Sequence, residues 1–250
     1  MTPSRARMVR MATAAVLAMV ASSFVQAVPI LINGGFESGF SGWTRVNQLG
    51  SEGTFLLQTG TTSPVNADPV PAPPEGTSAA MTDAFGPGSH VLYQDFLATA
   101  GSASLSFAVF VGNRDTDFFV PPALVGLDFS TPALNQQARV DIIRVAADPF
   151  SVGAADVLLN LYQTLPGAPL VSGYNTVSLD VTAFLAAHTG ESLRIRFAET
   201  DNVGPFQFGV DNVRFTAATA VPEPSLPLLL GLGFAALALT RSRCRGTARC

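Results

Sequence analysis

The sequence predicts an all-β fold, a jelly-roll β-sandwich of about ten strands, with an apolar segment added at each end. Three observations lead there. Apolar and polar residues alternate with period two in segment after segment between residues 43 and 216, the mark of strands with one buried face. Gly, Pro, Asn and Asp separate most of these segments, as turns require. Only one short stretch, after Asp180, carries helix signals.

The elements follow in order. Residues 1–27 read as a secretory signal peptide. Arg5, Arg7 and Arg10 form its positive start, residues 11–20 its apolar run, and Val25, Gln26 and Ala27 place the cut after Ala27. The run is too short for a membrane span of about 20 residues. Residues 28–217 form the sandwich domain, with strands expected at 43–48, 54–58, 91–96, 105–111, 138–145, 157–163, 176–180, 192–197 and 206–216. In the segment 192–197, Leu193, Ile195 and Phe197 share one face while Arg194 and Arg196 take the other. A helix over 181–188 is expected to be capped by Asp180 and ended by Gly190. Residues 60–76 hold five prolines (Pro64, Pro69, Pro71, Pro73 and Pro74) and read as a loop. Residues 119–135 are expected to wrap a sheet edge. In the segment 206–216, Phe206, Phe208 and Val210 share one parity, and Val213 and Phe215 the other. The switch at Asp211–Asn212 predicts a bulge.

Charge narrows the partners. The chain has no lysine, and all 14 of its cations are arginines. Between residues 28 and 220 seven arginines face seventeen acids, a net of −10, which repels nucleic acid. The only cysteines, Cys244 and Cys250, lie at the extreme C-terminus, so the sandwich has no disulfide and no thiol chemistry.

The C-terminal end has three parts. A linker, 218–225, contains Val221, Pro222, Glu223 and Pro224. An apolar stretch, 226–240, reads as a short transmembrane helix. Residues 241–250 carry Arg241, Arg243 and Arg245, which act as a membrane stop that holds the tail in the cytoplasm. Pro-Glu-Pro, a short apolar helix and an arginine cluster, in that order over residues 221–245, resemble the PEP-CTERM sorting signal. The same region is also labelled the ice-binding protein C-terminal domain, a name that describes the tail and implies no ice binding. The resemblance implies an exosortase partner, a transient inner-membrane anchor through the helix, and delivery to the envelope or extracellular matrix of a Gram-negative bacterium that makes exopolysaccharide.

The middle domain carries a second resemblance. Asn33-Gly34-Gly35-Phe36-Glu37-Ser38-Gly39, with Gly42-Trp43 after it, opens the domain, and Phe208-Gly209-Val210-Asp211-Asn212-Val213 closes it. Together they resemble the first and last strands of galactose-binding-like and carbohydrate-binding-module-like jelly rolls. The resemblance implies a buried Trp43 and, in calcium-bearing members, one structural calcium shared by the carboxylates of Glu37 and Asp211.

Other candidates are weaker. Asn113, Asp115 and Asp117 have the spacing of a calcium loop, but Phe118 and Leu124 stand where an EF-hand needs Gly and Glu; a solvated loop is expected. His90 and His188 are the only histidines, and no Gly-x-Ser-x-Gly, P-loop or His-Glu-x-x-His pattern occurs. The expected function is that of an exported, non-catalytic protein, structural or adhesive among extracellular polysaccharide. The alternatives are a glycan-binding module and, third, a glycan-active hydrolase.

Overall fold

Strand formation here follows from which residues can face a common core. Every second residue of Leu105–Val111 and of Leu193–Phe197 is large and apolar, and these rows meet. The computed structural model describes residues 26–219. It contains β1 (Gln26–Pro29), β2 (Thr44–Asn47), β3 (Leu56–Thr59), β4 (Ser78–Thr82), β5 (Gly88–Leu97), β6 (Ala103–Asn113), β7 (Gln136–Arg144), β8 (Val157–Gln163), β9 (Asn175–Asp180), the helix α1 (Thr182–Ala187), β10 (Ser192–Asp201) and β11 (Phe206–Thr219).

Two sheets result. One runs β3-β4-β11-β6-β9, with β1 also against β11; the other runs β2-β5-β10-β7-β8. The chain crosses between them repeatedly, as in a jelly roll. All nine expected strands form. Two more were not expected. β4 is Ser-Ala-Ala-Met-Thr and is buried on both faces, so it shows no alternation. β1 spans the position of the expected cut after Ala27. The rest of the signal peptide, the sorting motif at Val221–Pro224, the apolar run and the arginine cluster lie outside the described residues. Among the described residues no helix is long and apolar enough to cross a membrane.

The core lies between the sheets. Leu92, Phe96, Leu193, Ile195 and Phe197 come from one, and Phe107, Val109, Phe208 and Phe215 from the other. Aromatic rings interlock across the gap, Phe107 on Phe197 at 5.5 Å and Phe96 on Phe215 at 4.9 Å between centroids. Trp43 is buried, as expected, and its indole N–H donates to Asn33 O at 3.0 Å. The expected bulge is present. The β11–β6 register shifts between Asp211 and Arg214, with Asn212 at φ 51°. The helix is shorter than expected, and its side-chain support comes from Asp180 Oδ1, which accepts from Thr182 N at 2.9 Å.

The two long loops dress the outer faces. The proline-rich loop covers the six-stranded sheet, where Val70 packs on Met81 and Phe110. The segment between β6 and β7 lays Leu127 on the five-stranded sheet against Val91 and Ala198. Register places one end of both sheets together: Asp201 pairs with Gly88 and Gln136, Phe206 with Asn113, and Phe208 with Thr82.

Candidate functional site

The outer face of the five-stranded sheet carries three of the domain's seven arginines, Arg139, Arg194 and Arg196. The alternation that turns Leu193, Ile195 and Phe197 inward turns Arg194 and Arg196 outward. Register then aligns a row across all five strands: Thr44, Tyr93, Arg196, Asp141 and Asn160. At its centre Asp141 is fully buried. It accepts from Arg139 through two bonds of 2.7 Å, from Arg196 through two of 2.9 Å, and from Asn160 at 2.8 Å. Burial works against the Asp141 charge, but the two guanidiniums and the amide outweigh it and hold its carboxyl below the ordinary range.

Beside this row, Asp95 grips Arg194 in a two-pronged pair at 2.6 and 3.0 Å. The Arg194 guanidinium lies flat on Tyr93, 3.7 Å from the ring centroid. The Asp95 side chain is 42 % exposed, and Tyr93 is half-buried. A wall closes one side: Arg196 Nη1 donates to Pro149 O at 2.6 Å, and Leu127 N to Phe150 O at 3.0 Å. The result is a shelf with a rigid polar floor, one partly open aromatic ring and one loop wall. The sequence did not single out Tyr93 or this face. The available signal was the pair Arg194 and Arg196, opposite the core residues of the same strand.

The residues singled out by sequence sit at the other sheet. Glu37 and Asp211 are brought to the same turn, residues 75–78. Glu37 accepts from Thr77 N at 2.8 Å, Thr77 Oγ1 at 2.9 Å and Ser78 N at 2.8 Å. These bonds hold its exposed carboxyl below the ordinary value. Asp211 accepts from Glu75 N at 3.0 Å and Asn212 N at 2.6 Å. Burial raises its carboxyl to about 7, despite these bonds, and the neighbouring Glu75 and Glu37 charges add to the rise. Gly76 is required in this turn, at φ 60° and with Glu37 Oε1 only 2.4 Å from where a Cβ would stand. The turn clasps the opening loop to the last strand. Main-chain N–H groups and the Thr77 hydroxyl together engage all four carboxylate oxygens. A shared calcium, which takes six to eight oxygens, is therefore only partly provided for.

In the loop at Asn113, Asp115 and Asp117 the side-chain oxygens accept mostly from nearby main-chain N–H groups. Asn113 Oδ1 accepts from Asp115 N, Asp115 Oδ1 from Thr116 N, and Asp117 Oδ1 from Phe118 N and Gly167 N. His188 pairs with Glu191 at 3.2 Å. His90 is buried in β5 with Nδ1 on Asn47 Oδ1 at 2.9 Å, and burial lowers it to about 4.

No family model matches the chain, and no curated protein is similar to it. Solved structures are similar at low identity. The carbohydrate-binding module TmCBM61, solved with β-1,4-galactotriose, is 13 % identical with a TM-score of 0.43, over 76 % of this chain and 99 % of that one. The K3 cleaved adhesin domain of Lys-gingipain from Porphyromonas gingivalis is 13 % identical with a TM-score of 0.46, over 76 % and 99 %. The Stig cyclase Fisc from Fischerella sp. TAU is 19 % identical with a TM-score of 0.44, over 78 % and 100 %.

Proposed function

We propose that this chain is an exported, non-catalytic β-sandwich protein that contacts extracellular polysaccharide through the outer face of its five-stranded sheet. The observation that supports the reading is the aligned row Thr44, Tyr93, Arg196, Asp141 and Asn160, flanked by the Asp95–Arg194 pair. A sugar ring offers an apolar C–H face and a rim of hydroxyls. Tyr93 supplies the solvent-open part of its ring for the first. Asp95, Arg194 and Thr44 supply fixed donors and acceptors for the second, and the ion network beneath keeps them from rearranging. Preorganised polar groups of this kind cut the entropic cost of binding. On a glycan array followed by calorimetry, the protein should retain at least one polysaccharide, and Tyr93→Ala together with Asp95→Ala should weaken it at least tenfold. Unchanged binding in that double variant overturns the assignment of this face.

Export and sorting belong to the same proposal. The tail from Val221 onward would be read by an exosortase, with the apolar helix as a transient inner-membrane anchor before delivery to the envelope or matrix. Replacing Pro222, Glu223 and Pro224 by Ala should leave the secreted fold intact and block tail processing. Normal maturation of that variant by mass spectrometry removes the sorting assignment.

A further inference from the structure

At the loop end of the sandwich the interior row of β10 stops being apolar. Leu193, Ile195 and Phe197 face the core, and by the same alternation so do Glu199 and Asp201. Glu199 is 1 % exposed and Asp201 3 %. Across the gap stands Thr82 of β4, on the face it shares with Ala80 and with Phe208 of β11. The Thr82 hydroxyl lies beside the Glu199 carboxyl. Yet neither Thr82 Oγ1 nor Glu199 Oε1 completes a hydrogen bond, although both are buried. Asp201 uses Oδ1 to accept from Gly88 N at 2.7 Å, which leaves its second oxygen.

Nothing nearby neutralises this pair. Asp83 is occupied by Ser63 Oγ, by Gln207 Nε2 at 2.8 Å and by Arg114 at 3.3 Å, so the one arginine at this end is already shared between Asp83 and Asp68. Glu52 adds a further negative charge toward Asp201. His90 is the cross-strand partner of Glu199, but burial keeps it neutral near physiological pH. Its Nδ1 is spent on Asn47, and its other nitrogen lies toward Glu52 O. An isolated buried charge is very costly, so a buried carboxylate is paired, binds metal or takes up a proton. Two buried oxygens without a completed hydrogen bond, Thr82 Oγ1 and Glu199 Oε1, beside a second carboxylate, are placed as ligands of a common cation are placed.

We propose that Glu199, Asp201 and Thr82 bind a calcium-sized divalent cation that bridges the two sheets at the loop end. Two carboxylates match a charge of two. A hydroxyl and irregular strand-end oxygens suit calcium, which accepts varied geometry, better than magnesium, which demands a near-ideal octahedron and keeps several waters. The site is separate from the Glu37–Asp211 turn, which meets β4 at its other end, at Ser78. Its structural effect would be to fix the 83–87 loop, through the Asp201–Gly88 bond, against β10.

The test uses the full exported chain after chelator treatment, titrated with calcium chloride in a calorimeter at pH 7.5. Glu199→Gln should remove one equivalent of bound calcium. Thr82→Val, which keeps the side chain's shape, should weaken that equivalent at least tenfold. Glu37→Gln should leave it in place, which separates this site from the turn. A wild-type chain that binds no calcium overturns the proposal. So does a Glu199→Gln variant that folds and retains full stoichiometry. Protonation of the pair is the rival account. It predicts that Glu199→Gln abolishes a stability loss between pH 5 and 8 that calcium does not alter, and that outcome also overturns the proposal. If Glu199→Gln fails to fold, the Thr82→Val titration decides alone.

Discussion

Replacing Asp141 by Asn is the sharpest probe of the five-stranded sheet. The amide keeps the size of the carboxyl but removes the charge that two buried guanidiniums share. Arg196 is fully buried and the Arg139 side chain nearly so, and water cannot compensate either. Removing one partner of a buried pair costs about 3–5 kcal/mol. For a domain of this size each kcal/mol lowers Tm by about 2–4 °C, so the variant should melt about 6–20 °C lower. Urea unfolding followed by circular dichroism gives the free energy directly. The sign with pH follows from the same network. The folded Asp141 pKa is depressed, so its contribution is complete above the unfolded carboxylate value of about 3.9 and is lost as pH falls through the lower folded value. The wild type should therefore lose stability below about pH 4 more steeply than Asp141→Asn. Exchanging Asp141, Arg139 and Arg196 together for apolar residues of similar volume should cost far less than the single change, because no charge is then stranded. A loss under about 1 kcal/mol for Asp141→Asn would refute the reasoning.

Other outcomes follow from named contacts. Glu37→Gln and Asp211→Asn act on one turn, so their losses should be non-additive in a thermal double-mutant cycle; a calcium-dependent Tm gain that sodium at matched ionic strength does not reproduce, and that each variant abolishes, would establish a shared ion there. Gly34→Ala puts a Cβ 1.8 Å from Val213 O and threatens the Val213 N to Gly34 O bond of 2.9 Å; overpacking of this kind costs about 1–3 kcal/mol, measurable by urea unfolding. Gln94→Leu removes both bonds that its side chain makes with the Ile32 main chain, at 2.8 and 3.1 Å. It should cost about 1–3 kcal/mol and speed hydrogen exchange at the Ile32 amide.

The fold was legible in the sequence where strands have one wet face. The 192–197 segment shows its register in the letters, because its outward residues are arginines. β4 was illegible for the opposite reason: the proline-rich loop covers its second face, so both of its faces are buried and no period survives. Parity alone located the bulge at Asp211, since a two-residue strand period cannot absorb an extra residue. The Tyr93 shelf was not legible, because it depends on which strands become neighbours. Tyr93 and Arg196 are 103 positions apart and meet only through the β5–β10 register. The Glu199–Asp201 pair reads as a polar strand end until Thr82, from the other sheet, is placed against it.

β11 is the strand through which the chain continues toward its C-terminus. It is flanked by β6 on one side and by β4 and then β1 on the other. A load along the axis of β11 meets neighbours on both flanks. Hydrogen bonds loaded in shear must give way together, whereas those of an edge strand can be peeled one at a time. The bulge at Asp211–Arg214, with the Glu75–Ser78 turn against it, adds a mechanical stop partway along the strand. A load applied along the last strand is thus shared by hydrogen bonds on both of its flanks.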